Sequence, residues 1–254
     1  MSAGDLNAWV ALIGFILGVG TGTIMLKKGS TLGRAHETNQ ASGTVLPILM
    51  IGVLILALFT SLLKSSTAGP GSMHAPIIAS LIGGLVFGAF AQKSRMCFAG
   101  GIRDVILMKN FDLLTIIGSL FVVMLIFNIA TGRFVLGFNT PGIIAHSEHL
   151  WNILGMYVVG FAAVLAGGCP LRQLILAGQG SSDSAVTVLG MFIGAALCHN
   201  LGLASSGTAI NPETKKVVAG AVTANGKVAV IICIIACFVI AFTNKRKIAA
   251  ITNK

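Results

Sequence analysis

The stretch Gly168-Cys169-Pro170-Leu171-Arg172-Gln173 places a thiol, a proline and a guanidinium together at the end of a long apolar run. Proline suits the first position of a helix because its missing N–H would have no partner there, which makes Cys169 the N-cap. The helix is expected to run to about Ala177 and to stop at Gly178 and Gly180. Eight or nine residues span only about 13 Å, less than half a hydrocarbon core. A helix that short is tolerated at membrane depth only where protein covers it or where it lines a cavity. Its first N–H groups and partial positive charge attract anions, and with Arg172 one turn on they favour thiolate at Cys169. The chemistry this suggests is a soft-sulfur, anion-attracting contact. The plainer alternative is a helix-ending turn with Cys169 as a small buried hydrophobe.

A second stretch, Arg95-Met96-Cys97-Phe98-Ala99-Gly100-Gly101-Ile102-Arg103-Asp104, repeats the cysteine-plus-arginine theme. Gly100 and Gly101 permit a tight bend or a close helix approach. Arg103 and Asp104 are adjacent and do not face each other on a helix, so each is expected to find another partner, Asp104 reaching Arg95 or Arg172. A basic loop alone would explain the arginines but not Cys97 or the glycines. The spacing leaves the distance between Cys97 and Cys169 open.

These residues need elements to hold them, and the composition says which kind. Of 254 residues 55% are hydrophobic and only 9% charged, against about 25% charged in soluble chains. The expected class is an all-α integral membrane protein. Seven segments are long enough, or nearly so, to cross a core needing about 20 helical residues: 6–26, 45–63, 75–92, 113–131, 150–167, 185–203 and 227–243. Short half-helices follow the two cysteine motifs. The net charge of +10 belongs to loop residues that orient the chain and does not indicate nucleic acid. Loops after the first, third and fifth segments, with the tail, hold Lys27, Lys28, Arg34, Lys93, Arg95, Arg103, Lys109, Arg172, Lys245, Arg246, Lys247 and Lys254. The opposite side holds Lys64, Arg133, Lys215, Lys216 and Lys227. That imbalance predicts a multi-pass protein of the inner or plasma membrane with its N-terminus outside and its C-terminus cytoplasmic.

A weak internal repeat is present. Gly84 to Gly88 leads to Cys97 as Gly160 to Val164 leads to Cys169. Ala177-Gly178, Asp183 and Val188 to Gly194 echo Ala3-Gly4-Asp5 and Leu12 to Gly18. The opening therefore reads as what should follow another cysteine motif. Residues 1–254 are expected to form a single membrane transport domain, with 1–43 ending a preceding repeat absent from this sequence and 44–254 forming one complete unit. Such paired repeats are common where a site lies at their interface.

Other candidates carry less. Cys233 and Cys237 share a helix face, but their segment has no histidine or carboxylate, so core packing is favoured over metal or redox chemistry. Cys198-His199-Asn200 either lines a path or simply ends a helix. His146, Glu148 and His149 form a small external cluster, and residues 69–76 a rigid external loop. No Walker loop, dinucleotide fingerprint or HExxH is present. The expectation is a protein that is not an enzyme, with no cofactor, no metal and no catalytic residue.

The segments 95–104 and 160–184, with 69–76 and 198–206, resemble the YeeE/YedE family of membrane proteins, most closely its selenium transporter branch. The resemblance covers essentially the whole chain. It implies uptake of a small sulfur species such as thiosulfate, or of selenium, through a two-fold pseudo-repeat whose short helices bring cysteines to a narrow path. By resemblance Cys97 and Cys169 are the pathway thiols of one half. The pathway is expected to include Arg172, Arg103, Gly168, Pro170, Gly100 and Gly101, with Arg95, Asp104, Gln173, His199 and Asn200 as weaker members. Family members carry a further N-terminal portion with more cysteine motifs. The partners this leaves open are the lipid bilayer, the solute, a second copy of the chain or a separately encoded N-terminal half, and a cytoplasmic sulfur or selenium carrier protein. The competing functions are a membrane thiol sulfurtransferase or oxidoreductase, which the absence of a CxxC pair disfavours, and a non-transporting half awaiting its partner.

Overall fold

The structure is a computed structural model describing residues 1–30, 40–60, 75–138, 146–206, 209–210, 217–218 and 220–244. Of the basic residues used above to orient the chain, Arg34, Lys64, Lys215, Lys216, Lys245, Arg246, Lys247 and Lys254 lie outside the described residues, as does most of the 69–76 loop. The described elements are α1 (Asn7–Lys27), α2 (Gln40–Phe59), α3 (Ile77–Lys93), α4 (Phe98–Met108), α5 (Asp112–Ala130), α6 (His149–Leu165), α7 (Pro170–Gly178), α8 (Ser182–Asn200), two-residue strands β1 (Ala209–Ile210) and β2 (Val217–Val218), and α9 (Ala224–Thr243). Each expected apolar segment is a helix, and the cysteine motifs are followed by the short helices α4 and α7. Among the described residues six spans are long and apolar enough to cross a membrane, four of them α1, α5, α8 and α9, and two of them the stretches Ile77–Met108 and His149–Gly178. The protein is an all-α multi-pass membrane protein apart from the small antiparallel pair of β1 and β2, which the sequence did not announce.

The chain forms two compact units: one of Met1–Arg34, Cys97–Cys169 and Gly194–Lys254, the other of Ala35–Met96 and Pro170–Ile193. In the first, α1 and α6 lie side by side and run in the same direction. Gly14, Gly18 and Gly22 of α1 face Ile153, Tyr157 and Val164 of α6, and Gly160 of α6 faces Phe15. A Cβ at Gly22 would stand 2.7 Å from the Cβ of Val164, and at Gly14, Gly18 or Gly160 it would run into a backbone carbonyl. Small residues four apart let two backbones approach and gain dispersion contacts where lipid offers no hydrophobic drive. Of these glycines the sequence reading used Gly14, Gly18 and Gly160, and only within repeat echoes. Their four-residue spacing was the signal for a packing seam.

Helix α9 runs parallel to this pair. Near its start Lys227 pairs with Glu148 at 2.9 Å, next to the start of α6. Farther along, Cys237 and Ala241 join Met25 and Phe161 in one buried cluster. Phe161 is fully buried and meets the Phe238 ring edge-on at 5.1 Å. Helix α5 runs the opposite way, with Trp9 of α1 against Phe121 and Asn128 near its end bonding Ser2. The segment before α1 is held to the one before α6: Val135 N–H donates to Ala3 C=O, Leu6 N–H to Gly137 C=O, and the Asn7 amide to Phe138 C=O at 2.7 Å. The relative directions of α1, α5, α6 and α9 are those of the expected topology.

In the second unit Leu46 of α2, Ala177 of α7 and Val188 of α8 form the buried cluster, with Ala185 and Met191 against it. Pro47 sits inside α2, where it removes the N–H that would have bonded Gly43 C=O. Gly180, at φ +94°, passes close to that Gly43 carbonyl.

Candidate functional site

The two cysteine motifs share one local construction. Helix α6 ends at Ala166, Gly167 turns left-handed at φ +79°, Gly167 N–H donates to Val164 C=O and Gly168 N–H to Ala163 C=O. This is the Schellman arrangement, which satisfies two otherwise orphaned carbonyls. Cys169 and then α7 follow. Helix α3 ends at Ser94, Arg95 turns left-handed at φ +52°, Arg95 N–H donates to Gln92 C=O and Met96 N–H to Ala91 C=O. Cys97 and then α4 follow. Arg95 thus stands where Gly167 stands, Met96 for Gly168, and Cys97 for Cys169. The two motifs share this turn geometry, with an arginine at the left-handed position of one and a glycine at that of the other.

Cys97 caps α4. Its backbone is extended and its sulfur accepts the Gly100 N–H at 3.2 Å. Gly100 and Gly101 are buried, and a Cβ at Gly100 would crowd Cys97 Sγ at 3.1 Å. Gly101 lies against α5, where a Cβ would meet Ile117 Cδ1 at 3.2 Å. The Cys97 sulfur also accepts the backbone N–H of Cys169 at 3.4 Å. Both cysteines are buried, at 7% and 2% exposure. One sulfur therefore receives N–H groups from two chain segments, one just after α6 and one in the first turn of α4, on the side of this unit where α1 ends at Lys27.

Arg103 and Asp104 correct an expectation. They pair with each other, Arg103 Nη2 and Nε both 2.9 Å from Asp104 Oδ1. Adjacent positions diverge at Cβ, but the long arginine side chain curls back far enough to close the gap. Asp104 forms no ion pair with Arg95 or Arg172 among the described residues.

In the second unit α7 opens at Pro170, directly after Cys169, and ends at Gly178, as its sequence predicts. Gln173 is buried, and Arg172 buries its Nη1 with no hydrogen-bond partner among the described residues. Pro170 is exposed.

His199 and Asn200 lie elsewhere. The turn after α8 meets the start of α9, where Thr223 Oγ1 donates to Gly202 C=O at 2.9 Å. That is the end of the first unit away from the cysteines. Asn200 bonds Ala196 C=O of its own helix, as residues at an ordinary helix end do. Cys237 is packed in the core and Cys233 and Cys198 are exposed. No cluster of three or more metal-ligating side chains occurs among the described residues.

At this same far end lies Glu148, which the sequence placed only in a small external cluster. Its carboxylate takes Lys227 Nζ at 2.9 Å and the Val222 N–H at 3.3 Å, while Lys227 lies 5.5 Å from the Trp151 ring centre. These contacts hold Glu148 below the usual carboxylate range, chiefly through the Lys227 hydrogen bond. His146 is buried with Nδ1 unpartnered among the described residues, and burial holds its imidazole below the ordinary value.

A multi-pass helical membrane protein with buried thiols at the starts of short helices is the class that fold and site define. Residues 93–254, more than half of the chain, match the family described as sulphur transport, Sulf_transp, and the chain belongs to that family. It is 30% identical over 112 residues to the thiosulfate transporter TsuA of Escherichia coli, covering 42% of this chain and 30% of that protein. It is 29% identical over 116 residues to the thiosulfate transporter TsuA of Spirochaeta thermophila, covering 45% of this chain and 34% of that protein. The match thus spans about a third of each curated relative. No solved structure matches the chain.

Proposed function

We propose that this chain forms a membrane path for uptake of a small sulfur- or selenium-containing anion, thiosulfate foremost, and that Cys97 and Cys169 make successive contacts with it. The observation that carries the reading is the buried juxtaposition of the two cysteines, Cys97 Sγ accepting the Cys169 N–H at 3.4 Å. Thiols are soft and polarisable and match a terminal sulfur or selenium better than they match the hard oxygens of sulfate. Weak contacts made in succession let a solute enter without trapping it. The sulphur transport family and the names of the two relatives support the same solute class.

In this reading Gly100, Gly101 and Gly168 keep backbone close to the thiols. Arg172 and the start of α7 supply positive charge. Arg103, tied to Asp104, contributes less than a lone guanidinium would. Arg95, Pro170 and Gln173 are near neighbours of the two thiols along the chain, and His199 with Asn200 belongs to the far end. The protein is a permease and not an enzyme, its tail is cytoplasmic, and residues 44–254 form one repeat unit. A second copy of the chain or a separately encoded half is the partner this reading allows for completing the path.

The test is uptake of labelled thiosulfate and labelled selenite by transporter-deficient cells making this chain, beside a Cys169→Ser version. Uptake by the parent that the serine version loses supports the reading, and the better-accumulated label names the solute. Equal uptake by both versions, with protein confirmed in the membrane, overturns the role of the thiols.

A further inference from the structure

We infer that Cys97 and Cys169 are joined by a reversible disulfide under oxidising conditions, so that the thiol pair is itself a redox-controlled closure. The closing step rests on the permease reading. The bond formation does not.

A disulfide needs two Cα atoms roughly 4.4–6.8 Å apart with side chains directed at each other. Here the sulfur of Cys97 is 3.4 Å from the backbone nitrogen of Cys169, one bond from that residue's Cα, and both cysteines are buried. Each cysteine follows a Schellman turn and precedes a helix, so both backbones are fixed by hydrogen bonds that the new bond would leave in place. Cys237 is packed in another cluster, and Cys198 and Cys233 are exposed.

With a peroxide as oxidant the chemistry balances. One thiol attacks a peroxide oxygen, the S–O bond forms, the O–O bond breaks and one water leaves, giving a sulfenic acid. The second thiol attacks that sulfur, the S–S bond forms, the S–O bond breaks and a second water leaves. Two thiols have lost two electrons and two protons in all, and the peroxide has become two waters. A dithiol reverses the bond by exchange, itself ending as a cyclic disulfide. In the oxidised state neither sulfur is available to a passing solute.

The experiment uses the full chain in lipid vesicles, treated with hydrogen peroxide, then alkylated, digested and read by mass spectrometry, with and without later dithiothreitol. The expected result is a peptide pair linked through Cys97 and Cys169 that dithiothreitol separates, while Cys198 and Cys233 are alkylated. Alkylation of Cys97 and Cys169 after peroxide, with no linked pair, overturns the inference. So does linkage of either one to Cys198, Cys233 or Cys237 instead. Thiosulfate uptake is measured on the same vesicles. A fall of roughly tenfold or more on oxidation, restored by dithiothreitol and retained in a Cys198→Ser version, supports closure. Linkage without any uptake by the reduced protein overturns transport by this chain alone, and with it the closure, while leaving the thiol pair established. Linkage with unchanged uptake overturns the closure alone.

Discussion

Cys169 donates its backbone N–H to the sulfur of Cys97 at 3.4 Å, although 72 residues separate them in the chain. The same sulfur caps α4 through Gly100 N–H. Cys97 therefore has a structural duty and, in the proposed function, a chemical one, and the two can be pulled apart by substitution.

Serine is a better N-cap acceptor than cysteine and close to it in size. Cys97→Ser should keep α4 capped, with a melting temperature within a few degrees of the parent, and lower thiosulfate uptake by roughly tenfold or more. Cys97→Ala should also lose the cap, at about 1 kcal/mol. Thermal unfolding of both variants beside uptake checks this. Full uptake by the serine variant would show that the position serves only the helix.

Arg95 holds a left-handed backbone, φ +52°, at the position where the companion motif has Gly167. A side chain there costs about 1–2 kcal/mol that glycine does not incur. Arg95→Gly should therefore raise stability by about 1 kcal/mol. If uptake falls despite that gain, the guanidinium has a role in transport that outweighs its strain. If stability falls, the side chain makes a stabilising contact larger than the backbone cost. Melting temperature and uptake together decide between these.

The helices were legible in the sequence because a lipid-facing helix needs an unbroken apolar run, and runs such as 113–131 have no other reading. Helix α7 was legible for a different reason, since Pro170 marks its start and Gly178 with Gly180 its end. What stayed hidden was tertiary. The pairing of Arg103 with Asp104 depends on a flexible side chain, and no spacing rule encodes how far it curls. The hook between residues 3–7 and 135–138 is a backbone contact that carries no side-chain pattern. The shared turn before the two cysteines was obscured at Arg95, where a glycine would have advertised it.

The glycine seam between α1 and α6 gives a third prediction. Gly18→Leu would drive a side chain into the Tyr157 carbonyl and the Phe161 amide, where backbone cannot yield as a side-chain tip can. Overpacking of this kind costs about 1–3 kcal/mol or more, and it should separate the helices that hold Phe161. Gly155→Ala on α6, with nothing within 4 Å of the added Cβ, should be neutral or slightly stabilising through helix propensity. Comparing the two variants by thermal unfolding tests whether the seam, and not glycine content as such, holds this unit together. Equal melting temperatures would overturn that view.

Acid should weaken the far end of the same unit. Burial lowers the His146 value in the folded protein from 6.5, so the unfolded chain takes up a proton first. Stability is then full above that pH and declines as pH falls from 6.5 towards the lowered folded value. Glu148 is lowered from 4.5, chiefly by its hydrogen bond with Lys227. Its contribution is present above 4.5 and is lost as pH falls through the lowered folded value. Both groups act in the same direction, and His149 and Lys227 are the other charged or titratable side chains of this cluster. Melting temperature in vesicles should therefore fall in two stages on acidification. His146→Gln should remove the upper stage, and Glu148→Gln the lower one, with an unchanged profile above about pH 7 for the histidine variant. A parent whose melting temperature is flat from about pH 7 to pH 5 would show that His146 does not remain neutral and buried while the protein is folded.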